Sequence, residues 1–146
     1  MNSLEALKKY FGYDSFREPQ DQIVDTLINN QNALVIMPTG GGKSVCYQIP
    51  AIVKDGVCIV VSPLIALMQD QVNSLKNNGI NANFINSTVS ESHKKEVIQQ
   101  IQNNELKLLY VAPERLLEER FYQWLKTINI STVSYTHLTL PTTHDV

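Results

Sequence analysis

Lys43 and Ser44 directly follow three glycines in the run Met37-Pro38-Thr39-Gly40-Gly41-Gly42-Lys43-Ser44, and residues of these types at this spacing suit a chain of phosphates. Glycines let the backbone take positive φ and turn its N–H groups inward around an anion. A helix starting at Lys43 would add unpaired N–H donors and the positive end of its dipole. Lys43 would reach the β and γ phosphates, and the Ser44 hydroxyl would ligate Mg²⁺. Thr39, Gly40, Gly41, Gly42, Lys43 and Ser44 are therefore the expected phosphate contacts. The strict pattern has glycine where Met37 stands, so this is a relaxed form. The alternative is a glycine-rich turn that happens to precede Lys-Ser; the flanking elements favour phosphate.

Those elements are readable in the chain. Ala33-Leu34-Val35-Ile36 has the length and apolarity of a buried strand, and Val45-Cys46-Tyr47-Gln48 can continue as a helix. Upstream, residues 3–11 predict a short helix with Leu4, Leu7 and Tyr10/Phe11 on one face. Residues 11–16 form a turn, and a helix runs from Pro19-Gln20 to Asn30 with Ile23, Val24, Leu27 and Ile28 as its apolar stripe. Downstream, residues 57–61 are a continuous apolar strand. Ser62-Pro63 opens a helix to about Asn78-Gly79, with Ser62 as N-cap. Residues 83–85 predict a weaker strand, 90–104 a polar helix with Val97, Ile98 and Ile101 inward, 106–111 a strand, and 113–126 a helix. Ile128-Asn129-Ile130 begins one more strand. Strands alternating with helices, several of them apolar throughout, indicate an α/β fold with a parallel sheet covered on both faces.

The 146 residues are enough for one domain with a core, and 43% hydrophobic with 18% charged is ordinary for a globular chain. No apolar run approaches a membrane span, and the first residues lack the basic and apolar blocks of a signal peptide, so no membrane association and a cytoplasmic location are expected. Cys46 and Cys58 stand alone in apolar segments and read as buried free thiols rather than a metal or disulfide pair. A formal charge of −2 gives no overall basic signature, although a local basic groove can exist on an acidic chain.

Three further strings stand at ordered intervals around the phosphate loop: Phe16-Arg17-Glu18-Pro19-Gln20, then Ser62-Pro63-Leu64-Ile65-Ala66-Leu67-Met68-Gln69-Asp70-Gln71, then Tyr110-Val111-Ala112-Pro113-Glu114-Arg115-Leu116. Together with residues 37–44 they resemble, in order and spacing, the first motifs of RecQ-family DNA helicases. The resemblance covers residues 4 to about 130. It implies an incomplete RecA-like P-loop domain that uses ATP and Mg²⁺ and acts on single-stranded and forked DNA. It also implies roles residue by residue. Gln20 would read the adenine edge through its amide, with Arg17 and Tyr13 flanking the base as planar cation and aromatic ring. Ser62, Asp70 and Gln71, and Arg115 in the Pro-Glu-Arg string, would contact the DNA strand. The plainer readings are helix capping for Gln20 and Ser62, and a proline-led helix start for Pro113-Glu114.

The chain departs from the resemblance near its end. After a strand like Ile128-Asn129-Ile130 the family places Asp-Glu-Ala-His, whose Asp would serve Mg²⁺ and whose Glu would orient the attacking water. Here Ser131 is followed by Thr132-Val133-Ser134-Tyr135-Thr136-His137-Leu138-Thr139-Leu140-Pro141-Thr142-Thr143-His144-Asp145-Val146, with no adjacent Asp-Glu. Thr132, Thr136, Thr139, Thr142 and Thr143 crowd this stretch, against Thr26, Thr39, Thr88 and Thr127 before it. Residues 133–143 also look like an in-frame translation of a synthetic sequencing adapter. The expected division is a partial helicase ATP-binding domain over residues 1–131 and a non-native tail over 132–146, with a divergent genuine strand as the alternative. No catalytic residue, and no role for His137 or His144, is assigned.

The resemblance thus implies a parent that is an ATP-dependent helicase moving 3′-to-5′, of which this chain carries the first part of the first motor domain. The part would bind ATP at most, since the acidic box and the second domain's arginine finger are each worth orders of magnitude in rate. A stand-alone nucleotide-binding module that never hydrolyses is the rival. A small-metabolite P-loop kinase is weaker, because it needs neither the Phe-Arg-Glu-Pro-Gln string nor the strand-contacting motifs.

Overall fold

A computed structural model describes residues 1–31, 43–86 and 90–135. The strand expected at residues 33–36 and the loop residues Met37, Thr39, Gly40, Gly41 and Gly42 lie outside these, as do the tail residues from 136 onward. At the N-terminus, α1 (Ser3–Ala6) runs into a π turn (Leu7–Phe11), closed by Gly12 at φ 73°. Asn2 caps α1 reciprocally with Glu5. Next come α2 (Gln20–Ile28) and α3 (Lys43–Val53). Strands and helices then alternate: β1 (Val57–Val61), α4 (Ile65–Asn77), β2 (Ala82–Ile85), α5 (Glu91–Gln102) and β3 (Leu108–Val111). The short helices α6 (Pro113–Leu116) and α7 (Glu119–Leu125) lead to β4 (Ile130–Tyr135).

The four described strands form one parallel sheet in the order β2-β3-β1-β4. Every residue of β1 is buried, as a strand covered on both faces requires. Its alternate side chains divide the core in two. Cys58 and Val60, with Leu108 and Tyr110 of β3, face Tyr47 and Ala51 of α3 and Met68, Val72 and Leu75 of α4. Val57, Ile59 and Val61, with Leu109 and Val111, face Val97 of α5 and Leu125 of α7. A third cluster seats Ala6, Leu7 and Val24 against Ile49, fixing the N-terminal helices to α3. Both cysteines are free and buried, as their apolar settings predicted.

Two helices differ from the sequence expectation. Helix α4 begins at Ile65 rather than at Ser62-Pro63, because the Ser62 Oγ accepts the Leu64 N–H at 3.3 Å and Leu64 stays extended. This is a side-chain turn of the kind that competes with helix. The single helix expected over 113–126 is broken at Leu117 and Glu118. Glu118 is extended, with its carboxylate held by Arg115 at 3.0 Å. Strand β4 continues through Tyr135, pairing Thr132, Val133, Ser134 and Tyr135 with Cys58, Ile59, Val60 and Val61. β-branched and aromatic residues suit that extended path.

Gly56 sits where β1 meets β4. Its φ is +99°, and a Cβ there would lie 2.6 Å from the Asn129 carbonyl oxygen. That oxygen accepts the Val57 N–H at 2.9 Å, so it cannot retreat without opening the pairing. Gly56→Ala is expected to destabilise the fold by about 2–4 kcal/mol, combining backbone strain and overpacking. Urea denaturation checks this, and a midpoint unchanged from wild type would refute it.

Candidate nucleotide and strand-contact site

Parallel strands place their functional groups where they end. Ser62 follows β1, Asn86 follows β2 and Ala112-Pro113 follows β3, all on the carboxyl edge of the sheet, where open α/β sheets bind ligands. Helix α3 runs against the strands. Its end reaches the opposite edge, where the Lys54 ammonium donates to the Ser131 carbonyl and the Lys107 ammonium donates to the Lys54 carbonyl. Its start, with Lys43 exposed and Ser44 half-buried, therefore lies at the carboxyl edge.

A polar cluster ties that start to the sheet. Gln71 of α4 donates its Nε2 to the Ser44 Oγ at 3.1 Å. The Gln71 Oε1 faces the Tyr47 hydroxyl at 2.9 Å, the Tyr110 hydroxyl at 3.0 Å and the Gln48 Nε2 at 3.2 Å. The two tyrosine oxygens are 2.9 Å apart. One proton pattern serves all of these groups: Tyr47 donates to Tyr110, Tyr110 to Gln71 and Gln71 to Ser44. Burial pushes the Tyr110 phenol up to about 12, against the lowering hydrogen bonds from Tyr47 and Gln48. Burial first, then the neighbouring Tyr110, raises Tyr47 well above the ordinary range.

Sequence reasoning missed Tyr47, Gln48 and Tyr110. The signal was present: each is a polar residue inside an apolar segment expected to be buried, and a buried polar group requires a partner. Gln71, expected on the DNA strand, instead directs its amide inward. Asp70, its neighbour, is exposed.

The remaining expected residues fall into two groups. Gln20 is buried at the start of α2, and its Oε1 accepts the Arg17 N–H at 2.9 Å. Arg17 and Tyr13 project to solvent on the preceding turn. Two planar groups are thus exposed on the turn before a buried amide whose oxygen is already engaged. Ser62 is 2% exposed, its hydroxyl used in the turn into α4 and its N–H given to Val111. Arg115 donates through Nη2 to the Asn86 carbonyl at 3.2 Å and through Nη1 to Glu118. It thereby clamps the end of β2 to the α6–α7 break, and its Nε is buried without a partner.

Among the described residues no group of three or more His, Cys, Asp or Glu could hold a metal, and the Ser44 hydroxyl is the oxygen that the phosphate-loop pattern offers a hard cation. That donor suits Mg²⁺ held mainly by phosphate and water. A separate cavity of about 380 Å³ lies at the amino edge of the sheet, lined by Gly56, Lys107 and Asn129, away from these groups.

A family model described as DEAD/DEAH box helicase matches residues 17–136. The chain belongs to the DEAD/DEAH box helicase family. Within it, the chain is similar to proteins named ATP-dependent DNA helicase RecQ. It is 48% identical to that of Haemophilus influenzae over 121 residues, covering 83% of this chain and 20% of the relative. It is 46% identical to that of Synechocystis sp., covering 84% and 26%, and 46% identical to that of Bacillus subtilis, covering 88% and 22%. This helicase-family chain therefore spans about a fifth to a quarter of the length of the curated relatives it matches. No helix among its described residues is long and apolar enough to cross a membrane.

The buried phenols make stability pH-dependent. The folded chain keeps the Tyr110 proton at pH values where the unfolded chain has released it, so this stabilisation is complete below about pH 10 and is lost as pH rises toward about 12. Cys58, pushed up to about 11 mainly by burial, titrates over part of the same window. Tyr110→Phe is expected to flatten the decline measured by denaturation at stepped pH. A decline of identical slope in the variant would contradict this.

Proposed function

We propose that this chain is the nucleotide-binding part of an ATP-dependent DNA helicase of the RecQ type, moving 3′-to-5′ on single-stranded and forked DNA in the cytoplasm. The observation that carries the reading is convergence. The Lys43-Ser44 start of α3 shares one sheet edge with the segments after β1 and β3 that bear Ser62 and Arg115. Nucleotide and strand would thus occupy neighbouring ends of the same three elements.

In this reading Lys43, with Thr39, Gly40, Gly41 and Gly42, binds the phosphates, and Ser44 offers its hydroxyl to Mg²⁺. Mg²⁺, when bound, neutralises charge that develops between the phosphates. Gln20 pairs with adenine while Tyr13 and Arg17 flank it. Ser62, Arg115 and Asp70 border the strand. Contact with the strand backbone is electrostatic and weakly sequence-selective.

The lack of an adjacent Asp-Glu after Ile130 favours a second reading for the chain as it stands, nucleotide binding without turnover. The string after Ile130 offers no Asp-Glu pair of the kind that orients an attacking water. Residues 132–146 are proposed as a non-native tail, supported by the rise in threonine and the adapter-like string. The pairing of Thr132 to Tyr135 then reflects their β propensity. DNA-stimulated phosphate release by the purified chain that disappears on removal of residues 136–146 would overturn both proposals.

Lys43→Ala is expected to weaken binding of a fluorescent ATP analogue about ten- to a hundredfold, the loss of charge-assisted hydrogen bonds worth about 1.5–3 kcal/mol. An unchanged dissociation constant removes the phosphate assignment. Gln20→Ala is expected to shrink a preference for ATP over GTP while triphosphate affinity persists. Competition between the two nucleotides measures this, and equal selectivity before and after the change leaves Gln20 as a turn residue only.

A further inference from the structure

We infer that Gln71 is a positioning residue for the metal-bearing hydroxyl: its amide, held by Tyr110 and Tyr47, orients Ser44 for a divalent cation. The inference rests on the proposed reading that Ser44 serves Mg²⁺ beside a nucleotide.

Three features carry it. First, the donor is aimed. The Gln71 Nε2 meets the Ser44 Oγ at 3.1 Å and occupies one of its two lone pairs. One lone pair then remains for a cation. A serine hydroxyl otherwise rotates freely, so the fixed donor removes orientations that point the remaining lone pair elsewhere.

Second, the aim is itself fixed. The Gln71 Oε1 sits within 2.9–3.2 Å of two phenol hydroxyls and the Gln48 amide nitrogen. Turning the amide over would place its NH₂ against the Gln48 NH₂ and give up the bonds donated by Tyr110 and Gln48. Tyr110 is 1% exposed and Tyr47 8%, and their rings pack edge-to-face with centroids 6.4 Å apart, so neither hydroxyl can swing away. Low local polarity strengthens such bonds and makes an unpaired member costly.

Third, the members come from three separate elements: Ser44, Tyr47 and Gln48 from α3, Gln71 from α4 and Tyr110 from β3. Tyr110 lies three residues before Pro113, and α4 is the helix that Ser62 leads into. A shift in the segment after β3 would therefore reach the Ser44 hydroxyl through two hydrogen bonds, and a shift in α4 through one. A glutamine needed only for core packing would not have to place its NH₂ on a half-buried hydroxyl at a helix start.

The test measures binding of a fluorescent ATP analogue to the full chain, once with Mg²⁺ and once with chelator. Gln71→Ala is expected to leave affinity in chelator within about twofold of wild type and to cut the Mg²⁺-dependent gain about five- to tenfold, the scale of one hydrogen bond. The double variant Tyr47→Phe, Tyr110→Phe keeps the amide but frees it, and is expected to show a smaller loss of the same kind. It also guards against misfolding of Gln71→Ala, since phenylalanine retains the packing.

A full Mg²⁺ gain in both variants overturns the inference. So does an equal loss with and without Mg²⁺, which marks a purely structural role. A loss of oligonucleotide affinity with the Mg²⁺ gain intact overturns it in favour of strand contact by Gln71. Wild-type chain that binds the analogue with no Mg²⁺ gain refutes the metal role of Ser44, on which the inference rests. Wild-type chain that does not bind the analogue at all refutes the nucleotide reading as well.

Discussion

Strand β1 is hydrogen-bonded on both sides, to β3 and to β4, and all five of its side chains are buried. The alternation of Cys58 and Val60 toward α3 and α4, and of Val57, Ile59 and Val61 toward α5 and α7, gives both faces of the sheet a continuous apolar layer. A slip of one residue would exchange those two layers, so the register is strongly specified. With β1 fixed, its neighbours end together, and the segments bearing Ser62, Asn86 and Arg115 emerge on one edge. Gly56 protects the other end, where the close Asn129 carbonyl leaves no room for a side chain.

Against that apolar frame the Ser44–Gln71–Tyr110–Tyr47 cluster stands out as a polar group joining three elements. Buried phenols and amides contribute little net stability but lose much if left unpaired. Their retention in the layer between α3, α4 and β3 fits a constraint on geometry more than a gain in stability. Arg115 makes a comparable link at the end of β2. Its ion pair with the half-exposed Glu118 is worth little by itself, so the bond to the Asn86 carbonyl is the one that joins two elements.

Much of the fold was legible because periodicity reports burial. The β1 run Val57–Val61, the α2 and α5 stripes and the alternation of strand with helix follow from residue type alone. Helix boundaries were less legible where side chains compete with the backbone: the Ser62 hydroxyl takes the Leu64 N–H and delays α4, and Glu118 stays extended with its carboxylate on Arg115, dividing the helix expected after Pro113. The site was half legible. Local motifs marked Lys43, Ser44, Gln20 and Arg115, since each lies in a recognisable string. Tyr47, Gln48 and Tyr110 belong to a cluster whose hydrogen bonds join residues as far as 63 positions apart, which no local pattern encodes. Gln71 was singled out for the strand, yet which way a glutamine on a helix faces depends on what packs beside it.

On the proposed reading nucleotide binds at the carboxyl edge of the sheet, although the cavity of about 380 Å³ lies at the amino edge. Amide chemical-shift mapping of the isotope-labelled chain, titrated with a non-hydrolysable ATP analogue and Mg²⁺, separates the two directly. Perturbations are expected at Lys43, Ser44 and Tyr47, extending through Gln71 to Tyr110. Perturbations confined to Asp55, Gly56, Lys107 and Asn129, with Ser44 and Gln71 unmoved, would contradict that reading.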